Sequence, residues 1–524
     1  MKRTEVIFKL FVTAIFTLAA VYFIWFVFFS NVRELISVIP DDSSYYLKIA
    51  KNFSEGAGFS FDGINSTNGF QPLWQIVLIP FFYFVKTSPE NYLRAILIFQ
   101  IILMSVSFVV FYNTLSKFFK IKIISAFAVC FIVFVFFNSV NGMETSLMVF
   151  LISVVFSASV NFNIFTDSKR SREFIWGMSL GFLILSRLDL IFFAVSFILL
   201  ILFITDNFKA GLIKILIVIS GMMIIISPYL LYNYINFGSV IPISGYLKNG
   251  FPDSGFREKI SYILKYRETY FQLISMIYIV WFLFNFKKIK HWKNYIYSLF
   301  IAVLSLTNLF LFIYMIFLLN WVIFYWYFIP YSLFFSLFIC MPLNYITDIK
   351  LKRIGNLIVY SFLIFITFYW GNKIYHNFNA DNISTSNNWN IESYIASQWA
   401  KQNTDPSDVF AMKDAGHFGF FSKRNTINLD GLVNNFEYQN ILYNKQLNDY
   451  LKSNNVKYFV QHAIRNRDDI TSGNYDSLKL NFISHMYNSG SDTITLFKNN
   501  ELYRSDNYYD EGNKAAFIIW NLSP

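Results

Sequence analysis

Charge is scarce in this 524-residue chain: Asp, Glu, Lys and Arg make up 14% of it, where ordinary soluble domains carry roughly a quarter. With 55% hydrophobic residues, a soluble fold has no means of hiding the apolar surface. Cysteine is scarcer still. Cys130 and Cys340 are the only two, and both lie inside apolar runs, which argues against a disulfide framework and a thiolate metal site. The GxxxxGK[ST] pattern is missing, which weakens any phosphate-cradling glycine loop. No small-residue cleavage site follows the first apolar run, residues 6–30, so that run reads as a retained span rather than a signal peptide. The net charge of +11 does not mark a nucleic-acid binder, because the basic residues fall in short clusters between apolar runs rather than along one face.

What is present is a succession of apolar runs from Val6 to Trp370, long enough to cross the roughly 30 Å hydrocarbon core. They predict an all-α polytopic membrane domain of about eleven transmembrane helices over residues 1–375. Beyond His376 the pattern breaks, and Asn, Asp, Ser and Lys become common. Residues 376–524 therefore read as a small soluble α/β domain. Its expected helices are 389–402 and 436–453. Its expected strands lie near Val409 and at 426–429, 456–461, 493–497 and 516–520.

A cytoplasmic N-terminus makes the charges agree. The clusters at 117–122, 169–172, around Lys209, at 287–290 and at 350–353 then all fall inside. Residues 31–92, 141–146, the Arg187 corner, 232–269, 321–327 and the tail fall outside, and 72–85 forms a helix near the interface. This places the protein in the plasma (inner) membrane with an extracytoplasmic C-terminal domain. Two short spans flank Arg187; a single long span there would reverse everything downstream.

Under this topology the unusual polar residues share one face. The first outer loop opens with Pro40, Asp41, Asp42, Ser43, Ser44, Tyr45 and Tyr46. Adjacent carboxylates near a low-dielectric boundary suit a raised pKa, a bound cation or an acceptor hydroxyl, and the bland alternative is a helix N-cap. Glycine and asparagine are dense over residues 52–74, which marks an ordered loop that places side chains, among them Asn68 and Gln71.

One span, an acidic pair followed by Tyr-Tyr-x-x-Ile-Ala, a Gly-x-Gly-Phe turn and Asn-Gly-Phe-x-Pro-Leu-Trp: this order resembles the GT-C superfamily of membrane glycosyltransferases. Protein O-mannosyltransferases, lipid A aminoarabinose transferases and bacterial family-39-like enzymes belong to it. The likeness continues at residues 141–146, 187–189, 325–330, 414–416 and 428–432, so it covers most of the chain. It implies a polyprenyl-phosphate sugar donor, a glycan, lipid or protein acceptor, membrane lipids as partners and no nucleic acid. It also implies a catalytic aspartate at Asp41, either as a base or as a ligand to a divalent cation such as Mg or Mn. Aminoarabinose-transferase relatives have Arg where this chain has Ser44, and Glu-Lys where it has Phe70 and Gln71. Donor-phosphate binding then passes to other cations, with Arg187 and Lys248 as candidates.

Each further candidate has a structural alternative. Glu144 suits the second outer loop of the family, or a helix cap. Arg187 and Asp189 sit between apolar runs, where ionisable groups are costly, and form either a functional site or a structural pair. Lys248 grips phosphate or is simply solvated. Trp326 and Tyr327 stack on a sugar or belong to an interfacial belt. Asp414 and His417 stand on a turn with no second histidine for a metal, and Asp430, Gly431 and Leu432 are placed to face the cavity.

The expected reaction is inverting transfer to an acceptor hydroxyl, with Asp41 as base and Asp42 and Glu144 orienting the acceptor or holding a cation. A divalent metal shared by Asp41 and Glu144 is the other arrangement. The rival reading is a lipid or glycan transporter, or flippase, without transfer chemistry. It would show internal repeats, and no half-to-half repeat is evident.

Overall fold

The computed structural model describes residues 2–37, 39–84, 87–249, 256–291, 294–348, 352–378, 388–461, 470, 473–487, 489–510 and 513–522. Among these, seven helices are long and apolar enough to cross a membrane: Glu5–Phe29, Pro89–Leu115, Ile121–Ser139, Phe208–Phe237, Glu268–Ile289, Tyr295–Phe317 and Tyr325–Thr347. Thr145–Asn161, Arg170–Ser186, Ile191–Ile204 and Lys352–Phe378 complete the eleven expected spans. Large apolar side chains such as Phe284 and Phe368 stand fully outward, as a lipid-facing surface requires. The chain is a multi-pass membrane protein.

The corner at Arg187 is a true break. Its backbone is extended, with φ −158° and ψ 111°, between Arg170–Ser186 and Ile191–Ile204. The parity of the later spans follows from that break. Basic clusters consequently collect at one end of the bundle, where the loops are tied to each other. Lys117 bonds Asn161, and Lys122 reaches Asn356 at 2.9 Å. Lys214 donates to the carbonyls of Ile164 and Thr166, and Lys290 pairs with Asp206 at 3.0 Å. Lys350 and Leu351 of the last cluster lie outside the described residues.

At the other end, the helices Asp41–Ser54 and Pro72–Phe84 and the loops after the later spans meet the tail. The junction 379–387 lies outside the described residues. The tail begins with the helix Asn388–Asn403 and builds a mixed sheet. Its strands are β1 (Val409–Met412), β2 (Asn425–Asn428), β3 (Val456–Gln461), β4 (Ser477–Ser484), β5 (Ser489–Phe497), β6 (Glu501–Arg504), β7 (Tyr508–Asp510), β8 (Asn513–Ala515) and β9 (Ile518–Asn521). The main sheet runs β2-β1-β3-β9-β6, with β1 parallel to β2 and β3, and β9 antiparallel to β3 and β6. β4 and β5 form a separate hairpin, as do β7 and β8. The helix expected over 436–453 divides into Phe436–Tyr443 and Leu447–Ser453. Lys445 between them has φ 58°, a left-handed turn that no continuous helix tolerates.

Trp74 of the first loop and Ala415, Phe418 and Phe420 of the tail belong to the same buried apolar cluster as the bundle. A second cluster around Ile427, Leu451, Phe459 and Trp520 lies within the tail itself. Tail and first loop are thus packed as one body over the end of the bundle.

Candidate active site

The helix Asp41–Ser54 faces two ways. At 100° per residue, positions 41, 44, 45 and 48 form one stripe and positions 42 and 46 another. The first stripe binds the tail. Asp41 accepts backbone N–H bonds from Gly416 at 2.8 Å and His417 at 2.6 Å, the opening residues of the helix Gly416–Phe421. Ser44 bonds the His417 ring at 2.8 Å, Tyr45 donates to Asp430 at 3.0 Å, and Lys48 donates to the Arg424 carbonyl at 3.0 Å. The approach is so close that a Cβ on Gly416 would stand 2.2 Å from the Asp41 carbonyl oxygen. Neither aspartate caps its own helix, whose N-cap is Pro40.

The second stripe, Asp42 and Tyr46, lines a cavity of about 140 Å³. Also in its wall are Tyr45, Gln71, Glu144, Arg187, Asp189, Lys248, Trp326 and Tyr327. The second loop is set by Gln100, which accepts from Gly142 N at 2.8 Å and donates to the Met143 carbonyl at 2.6 Å. That pinning presents Glu144 to the Tyr46 hydroxyl, 3.1 Å away. The Glu144 side chain makes no cap bond to its own helix.

Arg187 is buried and makes three hydrogen bonds, from Nε, Nη1 and Nη2. It donates to Asp189 Oδ2 from Nε and Nη2, at 3.1 and 2.9 Å, and to the Trp326 carbonyl at 2.9 Å, and its guanidinium lies 5.3 Å from the Tyr327 ring centre. Asp189 Oδ1 is buried without a partner among the described residues. Gln71 Oε1 accepts from Leu188 N at 3.0 Å and so fixes the same corner. Lys248 ends the helix Ile243–Lys248. The first N–H of that helix donates to Asn68 Oδ1 at 2.9 Å, and Asn68 also bonds Asn233 at 3.3 Å.

Burial in this acidic surround perturbs the titrating groups. It raises Asp42 to about 6, with Lys248 opposing and Asp430, Asp414 and Glu144 adding to the shift. Burial also raises Glu144, against the pull of Arg187. Lys248 loses by burial but gains more from Tyr327, Asp42, Glu144 and Asp430, and ends above its usual value. Asp41 is raised by burial, while the amides of His417 and Gly416 pull it back.

Four candidates stand outside the cavity wall. Asp41 is turned to the tail. Asn68 is fully buried and braces two loops. Asp430 lies behind Tyr45, accepting from Tyr45, Asn428 and Asp414 N on Oδ2 and from Leu432 N on Oδ1. Asp414 is exposed, at φ 45°. Residues that the sequence did not single out also line the cavity: Tyr46, Tyr314 and Val433 among them. Tyr46 lies one helical turn from Asp42, a spacing that points to it. Leu432 comes from the tail, and a Cβ on Gly69 would meet its carbonyl oxygen at 1.8 Å.

A cation shared by Asp41 and Glu144 does not fit this arrangement. Both Asp41 oxygens are taken by N–H donors of the tail, and no group of three or more Asp, Glu, His or Cys side chains converges on a metal-sized point among the described residues.

A helical membrane bundle whose loops at one end and C-terminal α/β layer close over a polar cavity is the GT-C fold. A crystal structure of ArnT from Cupriavidus metallidurans bound to undecaprenyl phosphate matches it with a TM-score of 0.56 at 9% identity, over 97% of each chain. The archaeal oligosaccharyltransferase AglB from Archaeoglobus fulgidus, in complex with an inhibitory peptide and a dolichol-phosphate, matches with a TM-score of 0.55 at 12% identity, over 86% of this chain and 69% of that one. The Archaeoglobus fulgidus oligosaccharyltransferase in complex with Zn and sulfate gives 0.53 at 13% identity, over 87% and 69%. Residues 381–508 match a domain of unknown function, DUF8728. No curated protein matches the chain by sequence.

Proposed function

We propose that the protein is a membrane glycosyltransferase that moves a sugar from a polyprenyl-phosphate donor to an acceptor hydroxyl, with inversion, on the extracytoplasmic face. The observation that carries this reading is one cavity holding both halves of the chemistry: the cations Arg187 and Lys248, and the carboxylates Asp42 and Glu144. The fold supports it, as do the polyprenyl and dolichol phosphates bound by ArnT and AglB. Basic loops at the opposite end support a cytoplasmic location for that end.

Arg187 and Lys248 hold the donor phosphate and stabilise the charge it gains as it leaves. Asp42 takes the proton of the acceptor hydroxyl while its oxygen attacks the anomeric carbon. The bond from that carbon to the phosphate oxygen breaks, and its electron pair stays on the polyprenyl phosphate. A carboxylate near 6 is largely ionised at neutral pH yet basic enough to accept the proton, which suits Asp42 better than Asp41 for the role. Trp326 and Tyr327 provide an apolar floor for the sugar ring.

The test is a panel of polyprenyl-phosphate sugars with purified protein, read by thermal stabilisation and by label transfer. At least one donor should stabilise wild type and Asp42→Asn alike, and only wild type should transfer. The reading fails if no donor stabilises the protein or if Asp42→Asn transfers at the wild-type rate.

A further inference from the structure

His417 takes no part in the chemistry above, yet it is fully buried against the segment that carries Asp42. Its backbone N–H donates to Asp41 Oδ1 at 2.6 Å. Its ring Nδ1 lies 2.8 Å from Ser44 Oγ, and its ring Nε2 lies 3.2 Å from the Ile39 carbonyl oxygen. A carbonyl oxygen only accepts, so Nε2 carries the ring proton. Burial holds the imidazole neutral, lowered to about 4. Nδ1 is then an acceptor, and the Ser44 hydroxyl donates to it.

One tail residue therefore fastens the residues that bracket Asp42: its ring holds Ile39 and Ser44, and its backbone N–H holds Asp41. No side chain caps the acidic helix at Pro40. Its first turn is otherwise tied to the tail by Gly416 N–H on Asp41 at 2.8 Å, Tyr45 on Asp430 at 3.0 Å and Asn390 on the Ile39 carbonyl at 3.4 Å. The His417 ring is the group that joins Ile39 to Ser44 across Asp42. The cations sit on separate supports: Arg187 between two membrane helices and Lys248 on a helix braced by Asn68.

We infer that His417 is a positioning residue for the transfer reaction: by clamping both sides of Asp42 it fixes the direction of that carboxylate, which makes the docked tail an obligatory part of the site. The inference rests on the reading of Asp42 as the base. It separates two quantities that a merely structural role would move together, the rate of the chemical step and the binding of donor.

The experiment compares wild type, His417→Ala and His417→Gln in the full-length membrane protein. His417→Ala should lower kcat about 100-fold while the donor KM stays within about 2-fold, and His417→Gln, which keeps one donor and one acceptor, should recover about 10-fold of the loss. Thermal stabilisation by polyprenyl phosphate should persist in both variants. The pH profile should move as well. Asp42 shares the cavity with Lys248 and Glu144 and feels the charges of Asp430 and Asp414 from outside its wall, and a loosened clamp admits water to it, so the acid limb of kcat should shift below its wild-type position. Hydrogen exchange over residues 39–46 should quicken in His417→Ala and return towards wild type in His417→Gln. Unchanged kcat in His417→Ala, unchanged exchange over 39–46, or loss of donor stabilisation in step with kcat overturns the inference. Inactivity of the wild type with every donor overturns the functional reading instead.

Discussion

Replacing Asp42 by Asn should make the protein more stable while removing its activity. Asp42 titrates at about 6, above the roughly 3.9 of an exposed aspartate, so at neutral pH it is ionised against its surroundings. One pKa unit corresponds to about 1.4 kcal/mol, and part of the group opens to the cavity, so the charged form costs the fold between about 1 and 3 kcal/mol. The sign follows from the direction of the shift. A raised folded-state pKa means that the stability linked to Asp42 is greatest below about 4, is lost as pH rises to about 6, and stays lost above it. Thermal unfolding of wild type and Asp42→Asn at pH 8 and pH 5, beside label transfer at pH 8, reads both effects. The variant should melt higher at pH 8, the gap should narrow at pH 5, and transfer should vanish. A variant less stable than wild type at pH 8, or a gap that widens on acidification, would refute the reasoning about buried charge.

The same carboxylate sets the pH profile: kcat should fall about tenfold per unit below the Asp42 value of about 6, and a rate flat from pH 5 to 8 would exclude it as base. Arg187→Lys keeps the charge but loses the fork that holds Asp189 and the Trp326 carbonyl, so the donor KM should rise about tenfold with less effect on kcat. Steady-state kinetics against donor concentration checks it. Gly416→Ala drives a methyl into the Asp41 carbonyl, 2.2 Å away, and should destabilise the protein by about 1–3 kcal/mol, seen as a lowered melting temperature and faster proteolysis of the tail.

The spans were legible because lipid demands long apolar runs, and the break at Arg187 because an ionisable group between two such runs is costly. The end of the bundle on which Arg187, Lys248, Glu144 and Trp326 meet followed from counting spans. What the sequence left open was which aspartate faces inwards. Periodicity separates position 41 from 42 by 100° of helix, but only the docked tail shows that 41, 44, 45 and 48 are the covered stripe. Of the turn expected at the cavity, Leu432 lines it while Asp430 lies behind Tyr45, since Gly431 with φ 85° redirects the chain between them. The strand β4 carries Leu478, Leu480 and Phe482 in alternation, a period-two signal present in the sequence though absent from the strands expected there. Gln100, which pins the second loop from inside a membrane helix, reads in sequence as one polar residue in an apolar run.

Bond cleavage at the lipid phosphate separates a transferase from a transporter most directly. Purified protein in liposomes would be given a polyprenyl-phosphate sugar labelled in both the sugar and the lipid, and the products resolved after a single turnover. Free polyprenyl phosphate and acceptor-linked sugar should appear in equal amounts, while donor recovered intact on either side of the bilayer would contradict the account.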